Sequence, residues 1–198
     1  MAHSRNGRWL AWSIAMAVSL TQGSTAIAKE NLAQKVERLE RRLEAAEARL
    51  AVQQVITTYG LAADTNDIPA MMTLWSDDCV IEIDGNVIAQ GREQSRQIIE
   101  SEVHQSIQPY SAHVMGPFRI DVIDADHAVA TGYQTVYVRE GKRPEGQSQV
   151  WRQSFGRWEL RRTGDRWEIA RRQSRAVSNP GIKEIVEPSL RGRERGSN

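Results

Sequence analysis

The chain has 198 residues, 40% of them hydrophobic, and its 26 Lys and Arg against 25 Asp and Glu leave a net charge of +1. That length allows one well-cored domain with extensions and hardly a second, and the charge balance gives no support to a general nucleic-acid or acidic-surface binder. The single cysteine, Cys79, excludes an intrachain disulfide, and the four histidines show no metal-ligand spacing.

In chain order, residues 1–28 read as a signal peptide. MAHSRNGR is a positively charged start, Trp9 to Leu20 is an apolar run, and Ala26-Ile27-Ala28 is a small-x-small cleavage site. The run is shorter than the roughly 20 residues of a spanning helix. Export, with a bacterial periplasm as destination and no stable membrane insertion after processing, is therefore expected, a retained anchor being the alternative. Over residues 29–50, Leu32, Val36, Leu39, Leu43, Ala46 and Leu50 recur at alternating spacings of four and three, a heptad seam flanked by charges such as Glu37 and Arg41. This helical extension packs on its own domain, joins a neighbouring subunit in a dimer or trimer, or stays a solvated amphipathic helix.

The domain proper is expected over residues 51–178. Val52, Val55, Ile56, Tyr59 and Ala63 follow helical spacing, and the pattern breaks over Asp64 to Asp67. Ile68 to Trp75 reads as a short helix, capped by Asn66 or Asp67 with Pro69 in its first turn. Cys79 to Asp84 and Val87 to Ala89 form a hairpin, with Cys79 a small buried hydrophobe. Gly91 to Ser106 is a third helix. Strands follow at Ala112 to Met115, Phe118 to Ile123, Ala128 to Val138, Gln149 to Arg161 and Arg166 to Val177, separated by turn residues. Residues 179–198 are a tail, disordered from Arg191. Helices first and long antiparallel strands afterwards define an α+β fold, with helices laid on one face of a curved sheet.

The helix VQQVITTYGLAADTNDIPAMMTLWSDDCVIEIDG, the helix start GREQSRQII, the strand SAHVMG and the final strand GDRWEIARRQSR together resemble the nuclear-transport-factor-2-like superfamily, and within it the SnoaL-like group. The resemblance implies a cone-shaped fold with an apolar pocket. Enzymes of the group include scytalone dehydratase, hexachlorocyclohexane dehydrochlorinase, bile-acid dehydratase, relatives of ketosteroid isomerase and lyases acting on lignin-derived compounds. It further implies a catalytic pair of Asp64 and His113, joined by Tyr59 as in the bile-acid dehydratase type and by Arg172 as in the dehydrochlorinase type. Trp75 and Met72 would help line the substrate, and no cofactor is implied. A second histidine on a later strand has no counterpart, since His127 lies in a turn.

A carboxylate holding one imidazole nitrogen fixes the tautomer of the other, which then takes a proton from a bound substrate. Elimination of water or halide, deformylation or isomerisation of a small, apolar, cyclic or aromatic compound are all open to such a pair. Each residue also has a plainer reading. Asp64 can terminate one helix and start the next, His113 can be an ordinary strand histidine, and Tyr59 a core aromatic. Tyr59 and Asp64 lie about 140° apart on a regular helix, so only a distorted helix end brings them to one ligand. Arg172 shares strand parity with Glu168, Ala170 and Ser174, a polar face that is either pocket or solvent. A non-catalytic domain for small-ligand binding or assembly fits the same sequence, because this fold hosts both.

Overall fold

The computed structural model describes residues 10–141 and 146–191, with side chains from residue 31 onward. The expected signal peptide, residues 1–28, and the tail beyond Arg191 lie outside the residues whose side chains are described. The chain divides into two units, Met1–Ala46 and Glu47–Asn198, although the helix α1 runs as Leu10–Thr65. In the first unit Leu32, Val36, Leu39 and Leu43 are exposed. Among the described residues no helix is long and apolar enough to cross a membrane.

In the second unit α1 buries Val52, Ile56, Tyr59, Ala62 and Ala63, the one-sided stripe that a period near 3.6 residues produces. The helix ends where Asn66 turns left-handed at φ 53°. Asp67 then caps α2, Ile68–Met72, by accepting from the Ala70 N–H at 3.0 Å. The helix expected to reach Trp75 stops short, and Trp75 instead opens β1, Trp75–Ile83. The cause is competition for backbone groups. The Leu74 carbonyl accepts from the Ile169 N–H at 2.7 Å, and the Trp75 carbonyl accepts from Arg92 Nε and Nη2 at 3.0 and 2.6 Å.

A turn at Asp84 and Gly85, both with positive φ, leads into β2, Asn86–Gln90. The single helix expected over residues 91–106 is two, α3 at Arg92–Glu100 and α4 at Glu102–Ile107. Ser101 is extended at ψ 150° and uses its hydroxyl to cap the His104 N–H, so its side chain competes with the helix it was expected to continue. The strands expected at 112–115 and 118–123 are one, β3 at Ser111–Val122, bulged between Met115 and Phe118 where Gly116 has φ 102°. β4, His127–Arg139, β5, Ser148–Thr163, and β6, Arg166–Ala176, complete a six-stranded sheet in the order β2-β1-β6-β5-β4-β3. The β1–β6 pair is parallel and the others antiparallel. The sheet is curved and unclosed, and α1 packs its apolar stripe on the concave side.

The tail holds an unexpected helix, α5 at Ile182–Arg191, which buries Ile185 and Ser189. The Ser189 hydroxyl meets Thr131 Oγ1 at 2.7 Å, so α5 covers the convex face, opposite α1. That face carries the charges. Buried Glu82 accepts from Arg171 at 2.7 Å, from Gln173 at 3.1 Å and from Arg175. Asp78 pairs there with Arg161, whereas Arg152, on the strand face of Trp158 and Gln134, pairs with Asp84 of the β1–β2 turn at 2.9 Å. Arg161, Arg171 and Arg175 thus pair with the β1 carboxylates Asp78 and Glu82. Of the three tryptophans of β5 and β6, Trp158 and Trp167 are core, whereas Trp151 is exposed.

Gly60 sets how closely α1 approaches β3, because a Cβ there would stand 2.8 Å from the His113 carbonyl oxygen. Gly to Ala inside a helix ordinarily stabilises by about 1 kcal/mol. Here Gly60→Ala is expected to destabilise by about 1–3 kcal/mol through the overpacked contact, read as a lower urea midpoint at unchanged m-value.

Candidate active site

Asp64 stands in the last turn of α1 and His113 in the first half of β3. The carboxylate gathers three donors from that strand. Its Oδ1 accepts from the Ser111 hydroxyl at 2.9 Å and lies 2.6 Å from His113 Nδ1, and its Oδ2 accepts from the His113 backbone N–H at 2.7 Å. An ionised carboxylate only accepts, so the proton of the neutral ring sits on Nδ1 and Nε2 keeps its lone pair. The side chains are 10% exposed for His113 and 23% for Asp64, an enclosure that strengthens the bond between them. Burial pushes the His113 imidazole below its ordinary pKa while the bond to Asp64 opposes this, and the Arg172 charge lowers it further. His113 is therefore the neutral, proton-accepting form at physiological pH.

A second layer holds this pair. Gln108 Nε2 donates to the Ser111 hydroxyl at 3.0 Å and to the Ala63 carbonyl at 2.8 Å. His104 Nε2 lies 3.3 Å from the same carbonyl, and its ring is 5.9 Å from that of His113. Burial and the neighbouring His113 hold His104 below its ordinary pKa.

Tyr59 goes elsewhere. The helix is unbroken through Thr65, so the distortion needed to bring Tyr59 and Asp64 to one ligand does not occur. Tyr59 makes edge-on contacts with Trp75 and Trp158, at 6.0 and 5.0 Å between ring centres. The guanidinium of Arg172 stacks between aromatics, 5.2 Å from the Tyr59 ring and 5.1 Å from the Trp158 ring. Arg172 reaches this apolar face because β6 is bulged. Glu159 pairs with Arg171 but Leu160 pairs with Ile169, leaving Ala170 unpaired. The extra residue inverts the alternation, so Arg172 shares its face with Ile169 and Trp158 and not with Glu168, as strict alternation expects. Trp75 is 1% exposed and forms part of the core wall; Met72 is half-buried against it.

The sequence pattern does not mark Ser111, Gln108, His104 or Trp158 as members of the site. Ser111 was detectable, since it sits two residues before His113 and so faces the same side of the strand. Gln108 and His104 depend on the break at Ser101, which no periodicity signals. Among the described residues no group of three or more His, Cys, Asp and Glu side chains is placed to hold a metal ion.

The family model of the SnoaL-like domain matches residues 44–173. The chain belongs to the SnoaL-like domain family. Among solved structures, this SnoaL-like chain is similar to an NTF2-like protein with a cystatin-like fold from Novosphingobium aromaticivorans, 27% identical over 75% of this chain and 94% of that one, with a TM-score of 0.67. It is similar in fold to a candidate scytalone dehydratase from the same organism, 17% identical over 68% and 87% of the two chains, with a TM-score of 0.59. The same holds for a type 3 hexachlorocyclohexane dehydrochlorinase from Novosphingobium barchaimii, 17% identical over 69% and 90%, with a TM-score of 0.58. Other neighbours of this fold have no known function. Among curated proteins, none matches this chain in sequence.

The two buried histidines give the SnoaL-like domain a pH-dependent stability. Both folded pKa values lie below the unfolded one, so the unfolded chain binds more protons in acid. Their contribution is complete above the unfolded value of about 6.5 and is lost as pH falls towards the folded values. The melting temperature is expected to drop between about pH 7 and about pH 5, and His104→Gln to reduce the size of that drop.

Proposed function

We propose that this protein is a cofactor-independent lyase or isomerase acting on a small, apolar, cyclic or aromatic compound. The observation that carries the reading is the 2.6 Å contact of His113 Nδ1 with Asp64 on a histidine whose burial keeps it neutral. His113 Nε2 takes a proton from carbon or oxygen of the substrate, and Asp64 stabilises the imidazolium that forms. In a dehydration the imidazolium returns that proton to the departing hydroxyl, which leaves as water. In an isomerisation the same proton returns to another carbon. Arg172, held among Tyr59, Trp158 and the sheet floor, offers positive charge to the oxygen or leaving group on which negative charge develops.

The named neighbours of dehydratase and dehydrochlorinase type support elimination as the class. The charged start, apolar run and small-x-small site of residues 1–28 support export. The exposed seam of Leu32, Val36, Leu39 and Leu43 supports pairing with further copies of the chain through a short coiled coil. A second reading, a binding or assembly domain without catalysis, draws on the same seam and on the full burial of Met71 and Trp75.

Turnover of a panel of cyclic alcohols, halides and ketones separates the two readings. His113→Ala and Asp64→Asn are each expected to lower kcat/KM by about two to four orders of magnitude with the fold intact; retention of wild-type rates by both folded variants rejects the dyad. The wild-type rate is expected to fall in acid with an apparent pKa below 6.5. Arg172→Met removes a charge that depresses His113, so the acid limb is expected to move to higher pH.

A further inference from the structure

The carboxylate of Asp64 is shared unevenly by the strand it meets. Its Oδ2 accepts the His113 backbone N–H at 2.7 Å, whereas Oδ1 faces both His113 Nδ1 at 2.6 Å and the Ser111 hydroxyl at 2.9 Å. Two donors on one oxygen divide its negative charge, so each of the two bonds is weaker than it would be alone. The imidazole therefore competes with a hydroxyl for the atom that stabilises it.

The direction of the hydroxyl is set from behind. Gln108, the residue that closes α4, places its amide nitrogen 2.8 Å from the Ala63 carbonyl and 3.0 Å from the Ser111 hydroxyl. A carbonyl only accepts, so it fixes which way the amide points; reversed, Oε1 would stand against another oxygen. One amide hydrogen goes to Ala63 and the other to Ser111. His104 Nε2, 3.2 Å from the same nitrogen, receives neither, and it donates to the Ala63 carbonyl at 3.3 Å. Because Ser111 accepts from Gln108, its single proton is turned to Asp64, and the incoming N–H polarises that hydroxyl into a stronger donor. The chain runs one way, from Gln108 through Ser111 to Oδ1.

We propose that Ser111 and Gln108 are positioning residues that draw the charge of Asp64 Oδ1 away from His113 and so set how strongly the base holds a proton. Both act through the carboxylate. Three other groups that charge face the imidazole. His104 of α4 has its ring 5.9 Å away, Arg172 of β6 lowers the imidazole by its charge, and Arg152 of β5, on the same strand face, is paired with Asp84. None of the three bonds to Asp64 among the described residues. The proposal rests on the proposed function for what His113 does in turnover, but the proton affinity of His113 is read without any substrate.

The test is the titration of His113 in the full chain, followed by NMR at its ring Cε1–H, the signal that is missing from His113→Ala. Burial lowers the imidazole and the bond to Asp64 opposes this, so relieving Oδ1 of its second donor strengthens the opposing bond. Ser111→Ala is therefore expected to raise the midpoint by about 0.3–1 pH unit. Gln108→Met is expected to raise it by less, and Ser111→Thr, which keeps the hydroxyl, to hold the wild-type value. A merely structural support has the opposite sign, since its loss loosens the carboxylate, weakens the bond to Nδ1 and lowers the midpoint. An unchanged or lowered midpoint in Ser111→Ala overturns the proposal, and if that variant does not fold, Gln108→Met decides by the same sign. The acid limb of kcat/KM is expected to follow the midpoint in each variant. If the midpoint rises while His113→Ala retains full turnover, the tuning stands and the dyad falls.

Discussion

The carboxylate of Asp64 is the fastener on which the functional half of the molecule depends. A negative charge in the last turn of a helix opposes the helix dipole and costs a few tenths of a kcal/mol or more. It is kept there by three donors from one strand, a hydroxyl, a ring nitrogen and a backbone N–H. Hydrogen bonds to a charged group contribute about 1.5–3 kcal/mol each when well made, which outweighs the dipole term. The same bonds decide which nitrogen of His113 carries the proton, so the contact that joins α1 to β3 also prepares the base. Gly60, one turn earlier, admits the strand closely enough for these bonds to form.

The two faces of the sheet have divided their roles. The convex face holds its arginines in ion pairs, with Glu82 between Arg171 and Arg175 and Asp78 against Arg161. Hydrogen bonds from Arg175 and Arg171 keep Glu82 ionised despite burial, and bonds from the Ala176 N–H and Arg152 do the same for Asp84, so both carboxyls stay below their ordinary pKa. The concave face is apolar around Tyr59 and Trp158, and its polar side chains form a short row in which Gln134 bonds Ser154 and Ser174 and Arg152 pairs with Asp84. Arg172 is the residue that crosses from one regime to the other. A guanidinium stacked on two aromatic rings is tolerated there because it is weakly hydrated and planar.

Much of this was legible in the residues. The stripe Val52, Ile56, Tyr59, Ala63 named the buried face of α1, and the turn chemistry of Asp84-Gly85 gave the hairpin. Asp64 and His113 became a pair only through the resemblance to a family, since nothing in their spacing brings them together. What escaped was decided by tertiary competition. Trp75 left its helix because Arg92 and β6 claimed the backbone around it. Ser101 broke a helix by capping the next one. The bulge at Ala170 inverted the parity of Arg172, and a period-two pattern carries no mark of an inserted residue. The helix at Ile182–Arg191 is amphipathic but short, and it is fixed by Thr131 and the convex face more than by its own sequence.

The lone parallel pairing sets the order in which the molecule can be completed. β1 lies beside β6, with Ile81 opposite Arg172, so two segments roughly ninety residues apart must meet before the centre of the sheet exists, a non-local contact of the kind that slows folding. During synthesis β1 waits for the last strand to emerge from the ribosome. The hairpins β3–β4 and β4–β5 can form meanwhile, and they already carry His113, Gln134 and Trp158. That half of the sheet is thus assembled from neighbours in sequence, and β6 then joins it to β1 and β2.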